Sequence, residues 1–107
     1  MENKYVNVFV TAPGAAEGKK IADYLLKNKL AACASIISGV SSSYWWRGKI
    51  EHSHEVLLIM KTRAGLVKEL TNAVKKLHSY SVPEIIALPI ISGNPDYLKW
   101  IGKSLEG

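Results

Sequence analysis

The chain has 107 residues, enough for one domain with its own core over 1–107 and too few for two. Hydrophobic residues make up 48%, which excludes a disordered chain, and no apolar run approaches the roughly 18 residues of a membrane span. The net charge of +5 comes from 14 Lys and Arg scattered without a block of like charge. It reads as solubilising faces rather than a nucleic-acid footprint. The single Cys33 excludes an internal disulfide and suits a reducing compartment. MENKYVNVFVTAPG has no basic segment followed by a long apolar one and a small-residue cleavage site, so a cytoplasmic location is expected.

Residues 4–12 alternate and are rich in β-formers, which predicts a strand, and Pro13-Gly14 ends it. Over 15–30, Ile21, Ala22, Leu25 and Leu26 recur at helical spacing against Lys19, Lys20, Asp23 and Lys27, which predicts an amphipathic helix. Residues 33–46 and 49–62 read as two long strands joined at Arg47-Gly48-Lys49. Leu66, Leu70, Val74 and Leu77 predict a second helix. Residues 84–91 predict a strand, and Pro89 within it places that strand at a sheet edge. Asn94 and Pro95 are the N-cap and first position of a final short helix. The order β-α-β-β-α-β-α predicts an α+β, ferredoxin-like βαββαβ sandwich with a long hairpin, an extra C-terminal helix and edges at its second and fourth strands.

Each hairpin arm is about 14 residues, or roughly 45 Å extended, whereas a compact domain of this length has a radius of gyration near 13 Å. The hairpin therefore has to bend or overhang. An overhanging ribbon with an open edge is a template for pairing with another chain, so a homo-oligomer closed by symmetry is expected.

KLAACASIISGVSSSYWWRGKIEHSHEVLLIMKTR, LHSYSVPEIIALPI and GNPDYLKWI together resemble the divalent-cation tolerance protein CutA family, from about Tyr5 to Leu105. The resemblance rests on the AAC entry, the GxxSxYxW arm, the WxGxI turn, the EVLLxxKT strand and the GNxxYLxW ending. It implies a ferredoxin-like subunit in a homotrimer, similar in build to PII signalling proteins, with a role in metal tolerance and copper binding by some members. His78-Ser79-Tyr80-Ser81 stands where the family has His-Pro-Tyr-Glu, and Ser38-Gly39 where it has Pro-Gly. The copper ligands the resemblance implies fall at Val10, Leu77 and His78, so His78 alone keeps a ligating side chain. No cofactor is required on this reading, and copper or another divalent cation is expected to bind weakly.

Strand periodicity over 51–61 places Glu51, Ser53, Glu55, Leu57, Ile59 and Lys61 on one face and His52, His54, Val56, Leu58 and Met60 on the other. His52 and His54 supply two ligands where a stable zinc site takes three or four, so this pair marks the wet end of a strand. Glu55 and Lys61 lie about 20 Å apart along it and would meet partners from a neighbouring subunit. Cys33, Tyr44, Trp46, Glu55, Lys61, Tyr80 and Glu84 are the residues assigned to an inter-subunit pocket, and His78 is the candidate metal ligand. The chain lacks G-x-S-x-G, H-E-x-x-H and GxxxxGK[ST], so it does not read as an enzyme. The alternatives are a PII-like regulator of small molecules or anions, and a hydrolase with an inter-subunit site. Nucleic acid is not an expected partner, because the third strand lacks the stacking aromatics of RNA-binding sheets.

Overall fold

The computed structural model describes residues 4–107. The elements run β1 (Tyr5–Ala12), α1 (Ala15–Lys27), β2 (Cys33–Trp46), β3 (Lys49–Arg63), a 3-10 turn at Ala64–Leu66, α2 (Val67–Leu77), β4 (Ile85–Pro89) and α3 (Pro95–Ser104). Every pairing is antiparallel and the strand order is β2-β3-β1-β4, so the second and fourth strands are the edges, as expected.

Alternation decides which face is the core. Val6, Val8, Val10 and Ala12 of β1 and Val56, Leu58 and Met60 of β3 are buried against Ile21, Ala22 and Leu25 of α1 and Leu70 and Val74 of α2. The apolar stripe of each helix thereby covers one face of the sheet. Gly18 permits the close approach of α1, since a Cβ there would lie 3.0 Å from Val56 Cγ2. The opposite face carries Phe9, Leu57 and Ile59, half-buried, and Ile37, Ile86 and Leu88, exposed. Only one end of it is covered, by α3, which meets Cys33, Tyr5 and Arg63.

α1 ends at Lys27, three residues short of the expected end, although the apolar pattern runs on to Leu30. The backbone explains this. Lys29 adopts φ 57°, the Leu30 N–H donates to Leu25 O and the Lys29 N–H donates to Leu26 O. These are the two bonds of a Schellman end, and Leu30 is the apolar residue that packs beside it. β4 runs Ile85–Pro89, shorter than the predicted 84–91, although the Ile90 N–H still donates to Tyr5 O just beyond it. Asn94 does cap α3, its side chain accepting from the Asp96 N–H.

The hairpin overhangs. β1 pairs with β3 only from Val56 to Arg63, leaving residues 49–55 bonded to β2 alone. The molecule measures 43 × 27 × 24 Å as a result. At the tip, Arg47 and Gly48 both have positive φ, 50° and 78°, the two-residue turn whose twist matches a hairpin.

α3 rests on Tyr5 and Arg63 where Gly102 leaves no side chain. A Cβ at Gly102 would lie 2.5 Å from Tyr5 Oη but 3.5 Å from Tyr5 Cζ. Gly102→Ala is expected to cost about 1–3 kcal/mol by overpacking, read as a lower denaturant midpoint at unchanged m. Adding Tyr5→Phe removes the clashing oxygen and should recover most of the loss; no recovery would show that the contact is not the cause.

Candidate functional site

A single insertion aims the hairpin. On β2, Ile37 pairs with Leu57 but Val40 pairs with Glu55, so three steps on one strand match two on the other. Gly39 absorbs the extra residue at φ 79°, a glycine-dependent β-bulge. Before the bulge Cys33, Ser35 and Ile37 share the face of Lys61, Ile59 and Leu57. After it, Val40, Ser42, Tyr44 and Trp46 share the face of Glu55, Ser53, Glu51 and Lys49. Tyr44 Oη and Ser53 Oγ, diagonal neighbours on that face, are 2.5 Å apart.

The segment after α2 supplies the facing wall, and His78 fixes it. His78 is buried at the helix end. Its Nε2–H donates to Thr11 O at 2.7 Å, and its Nδ1 accepts the Tyr80 N–H at 3.1 Å. These partners assign a neutral ring with the proton on Nε2. Glu17 Oε2 lies 3.4 Å from Nδ1, but that oxygen already accepts the Ser79 N–H and the Ser79 hydroxyl at 3.0 Å each. With its backbone held and its ring 4.7 Å from the imidazole, Tyr80 donates its hydroxyl to Glu55 Oε2 at 2.9 Å. Glu55 is only 7% exposed. Burial first, and the bond to the Glu55 carboxylate second, push the Tyr80 phenol up to about 12.

Between the two walls lies a cavity of about 740 Å³. Five of the seven residues assigned from sequence line it: Tyr44, Trp46, Glu55, Tyr80 and Glu84. The other two do not. Cys33 and Lys61 are paired neighbours at the far end of the same sheet face. There Cys33 Sγ contacts Tyr97 Oη at 3.5 Å, and this bond raises the Tyr97 phenol, with burial adding to it. Lys61 lines a smaller cavity of about 330 Å³ with Asn7, Asn94 and Tyr97. His78 stands behind the large cavity with both ring nitrogens engaged, so a metal there would have to displace one of its bonds. His52 is exposed and contacts Ser43 Oγ through Nδ1 at 2.9 Å. Among the described residues no three His, Cys, Asp or Glu come together as a metal cluster, and no helix is long and apolar enough to cross a membrane.

The sequence reading missed Glu51 and Thr11, which line the cavity, and Glu17, which ties α1 to the Ser79 turn. The strand alternation already placed Glu51 on the same face as Glu55. Nothing local to Thr11 or Glu17 announces partners 67 and 62 residues away.

Fold and cavity define a class: a small α+β protein whose antiparallel four-stranded sheet carries two helices on one face, a third at one end of the other, and a hairpin that extends beyond them. The family model described as CutA1 divalent ion tolerance protein matches residues 6–104. Protein CutA 1, chloroplastic, of rice (Oryza sativa subsp. japonica) is 50% identical over 97 residues, which cover 91% of this chain and 55% of the relative. A divalent-cation tolerance protein CutA of Escherichia coli O139:H28 is 42% identical over 101 residues, 94% of this chain and 90% of the relative. This chain thus spans little more than half the plant relative's length and nearly all of the bacterial one's. The crystal structure of rice CutA1 superposes with a TM-score of 0.92 at 48% identity, covering 94% of this chain and 93% of that one. The periplasmic divalent cation tolerance protein CutA of Archaeoglobus fulgidus gives 0.92 at 41%, covering 95% and 99%. The chain belongs to the CutA1 divalent ion tolerance family.

The Tyr80–Glu55 bond has a pH signature. The folded phenol value, about 12, lies above the unfolded 10.0. What burial and, after it, the Glu55 bond add to stability by favouring the neutral phenol is therefore fully present below pH 10 and is lost as pH rises through 12. The stability gap between the parent protein and Tyr80→Phe should close over that window. In phenolate difference spectra the Tyr80 transition should move back toward 10 in Glu55→Gln. An unmoved transition would mean that Glu55 does not hold the phenol.

Proposed function

We propose that this chain is a binding or signalling subunit of ferredoxin-like build, without enzymatic activity, that acts as a homotrimer in divalent-cation tolerance. The observation that carries the assembly is the uncovered sheet face. Ile37, Ile86 and Leu88 are 46%, 50% and 42% exposed beside half-buried Phe9, Leu57 and Ile59. A contiguous apolar face of this kind marks an interface, and the two open edges and the overhanging ribbon present unpaired backbone for the same purpose. Three-fold closure would satisfy all three copies at once. The family's printed names support the cation-tolerance role. The cavity beside Glu55 is the place for a small ligand, as in a PII-like regulator. A single unpaired Cys33 supports a reducing compartment, the cytoplasm.

Copper is expected to bind weakly. Val10 and Leu77 are apolar, and the His78 ring is already committed.

Light scattering at micromolar concentration is expected to give three times the chain mass, and Ile86→Glu with Leu88→Glu should yield monomers. A stable monomeric parent protein would refute the assembly. Calorimetry with Cu(II) should show weak binding that falls in the His52→Ala/His54→Ala variant. Tight binding of one ion per subunit, abolished only by His78→Ala, would refute the metal reading.

A further inference from the structure

We infer that Lys61 of one copy enters the Glu55 and Glu84 end of the next, so that the large cavity is completed between subunits. This rests on the assembly reading above and adds which ends of the open sheet face meet. That face carries opposite charge at its two ends. On β3, Lys61 stands at one end and Glu55 at the other, six residues or roughly 20 Å apart. Leu57 and Ile59 lie between them, flanked by Phe9 on β1 and by Ile86 and Leu88 on β4. Glu84 precedes β4 at the acidic end and lines the cavity with Glu55. A face that is basic, then apolar, then acidic is complementary to a second copy set against it head to tail.

Both ends are unfinished within the chain. Among the described residues the ion pairs are Lys19–Asp23 and His78–Glu17, and neither Lys61 nor Glu55 takes part in one. Lys61 is half-buried on an inner strand between Cys33 and Asn7. The Asn7 Oδ1 is buried and receives no hydrogen bond among the described residues. Glu55 is 7% exposed, and the Tyr80 hydroxyl binds one of its oxygens without neutralising the charge. The nearby cations of the hairpin tip do not serve it. Lys49 is six residues along the strand, roughly 20 Å away, and Arg47 rests over the Trp46 ring. A charge withdrawn from water is costly unless it is paired, and one head-to-tail contact supplies a partner to both ends.

Head-to-tail contacts close into a ring in which every copy gives one Lys61 and receives another. Cys33 and Lys61, which a single chain leaves at the far end of the face, then reach the cavity from the neighbouring copy.

The pairing is tested by zero-length carbodiimide cross-linking of the intact protein, with the coupled peptides mapped by mass. Lys61 joined to Glu55 or Glu84 is expected, and a mixture of isotope-labelled and unlabelled protein should show the link between two chains. Light scattering over a dilution series reads its strength. Glu84→Lys and Lys61→Gln should each raise the concentration at which the trimer dissociates by about tenfold or more. Lys61→Glu combined with Glu84→Lys should bring it back toward the parent value. Lys75→Glu, exposed on α2, should leave it unchanged. Glu84→Lys, also at an exposed position, keeps the test valid if the half-buried Lys61 variants fail to fold. A trimeric parent with no Lys61 link and with dissociation unmoved by Glu84→Lys overturns the pairing and leaves the trimer standing. Equal weakening by Lys75→Glu would reveal diffuse charge attraction and also overturn the pairing alone, whereas a monomeric parent overturns the trimer and the pairing with it.

Discussion

The parity shift at Gly39 is the constraint on which the candidate site depends. β3 alternates without interruption, so Glu51, Ser53 and Glu55 share one face and the core residues Val56, Leu58 and Met60 the other. Strict pairing throughout would have set Ser43 and Trp45 beside these acids. The one-residue bulge between Ile37 and Val40 sets Tyr44 and Trp46 there instead. A left-handed backbone at φ 79° makes the exchange possible, and glycine adopts it without steric cost.

What the bulge brings together must also be made tolerable. A buried carboxylate needs donors, and Glu55 receives one from Tyr80. That donor is positioned through His78, whose two nitrogens bind the β1 carbonyl of Thr11 and the Tyr80 amide. The imidazole is therefore a spacer with fixed hydrogen-bond polarity, which accounts for its burial without invoking a metal. Glu17 completes the brace by accepting from Ser79.

Much of this was legible in the sequence, for identifiable reasons. Period-two alternation in β1 and β3 and the 3.6 periodicity of α1 and α2 report burial directly, so the elements, the edge position of Pro89 and the shared face of Glu51 and Glu55 could be read from spacing. Leu30 misled because an apolar residue after a Schellman end imitates one more helical turn. Cys33 and Lys61 were grouped with the pocket residues on motif resemblance, although spacing along β3 already set Lys61 about 20 Å from Glu55. The His78–Thr11 and Glu17–Ser79 contacts stayed hidden, since neither partner differs locally from an ordinary surface residue.

The cavity has one firm wall and one weak one. Tyr80 and Glu55 are tied into the four-stranded core, whereas Tyr44, Trp46 and Glu51 ride on the ribbon that pairs only with itself. An isolated two-stranded ribbon is marginal in water, and this one exposes Trp45 at 72% and Ile50 at 56%. A neighbouring subunit that packs against the ribbon would order the weak wall.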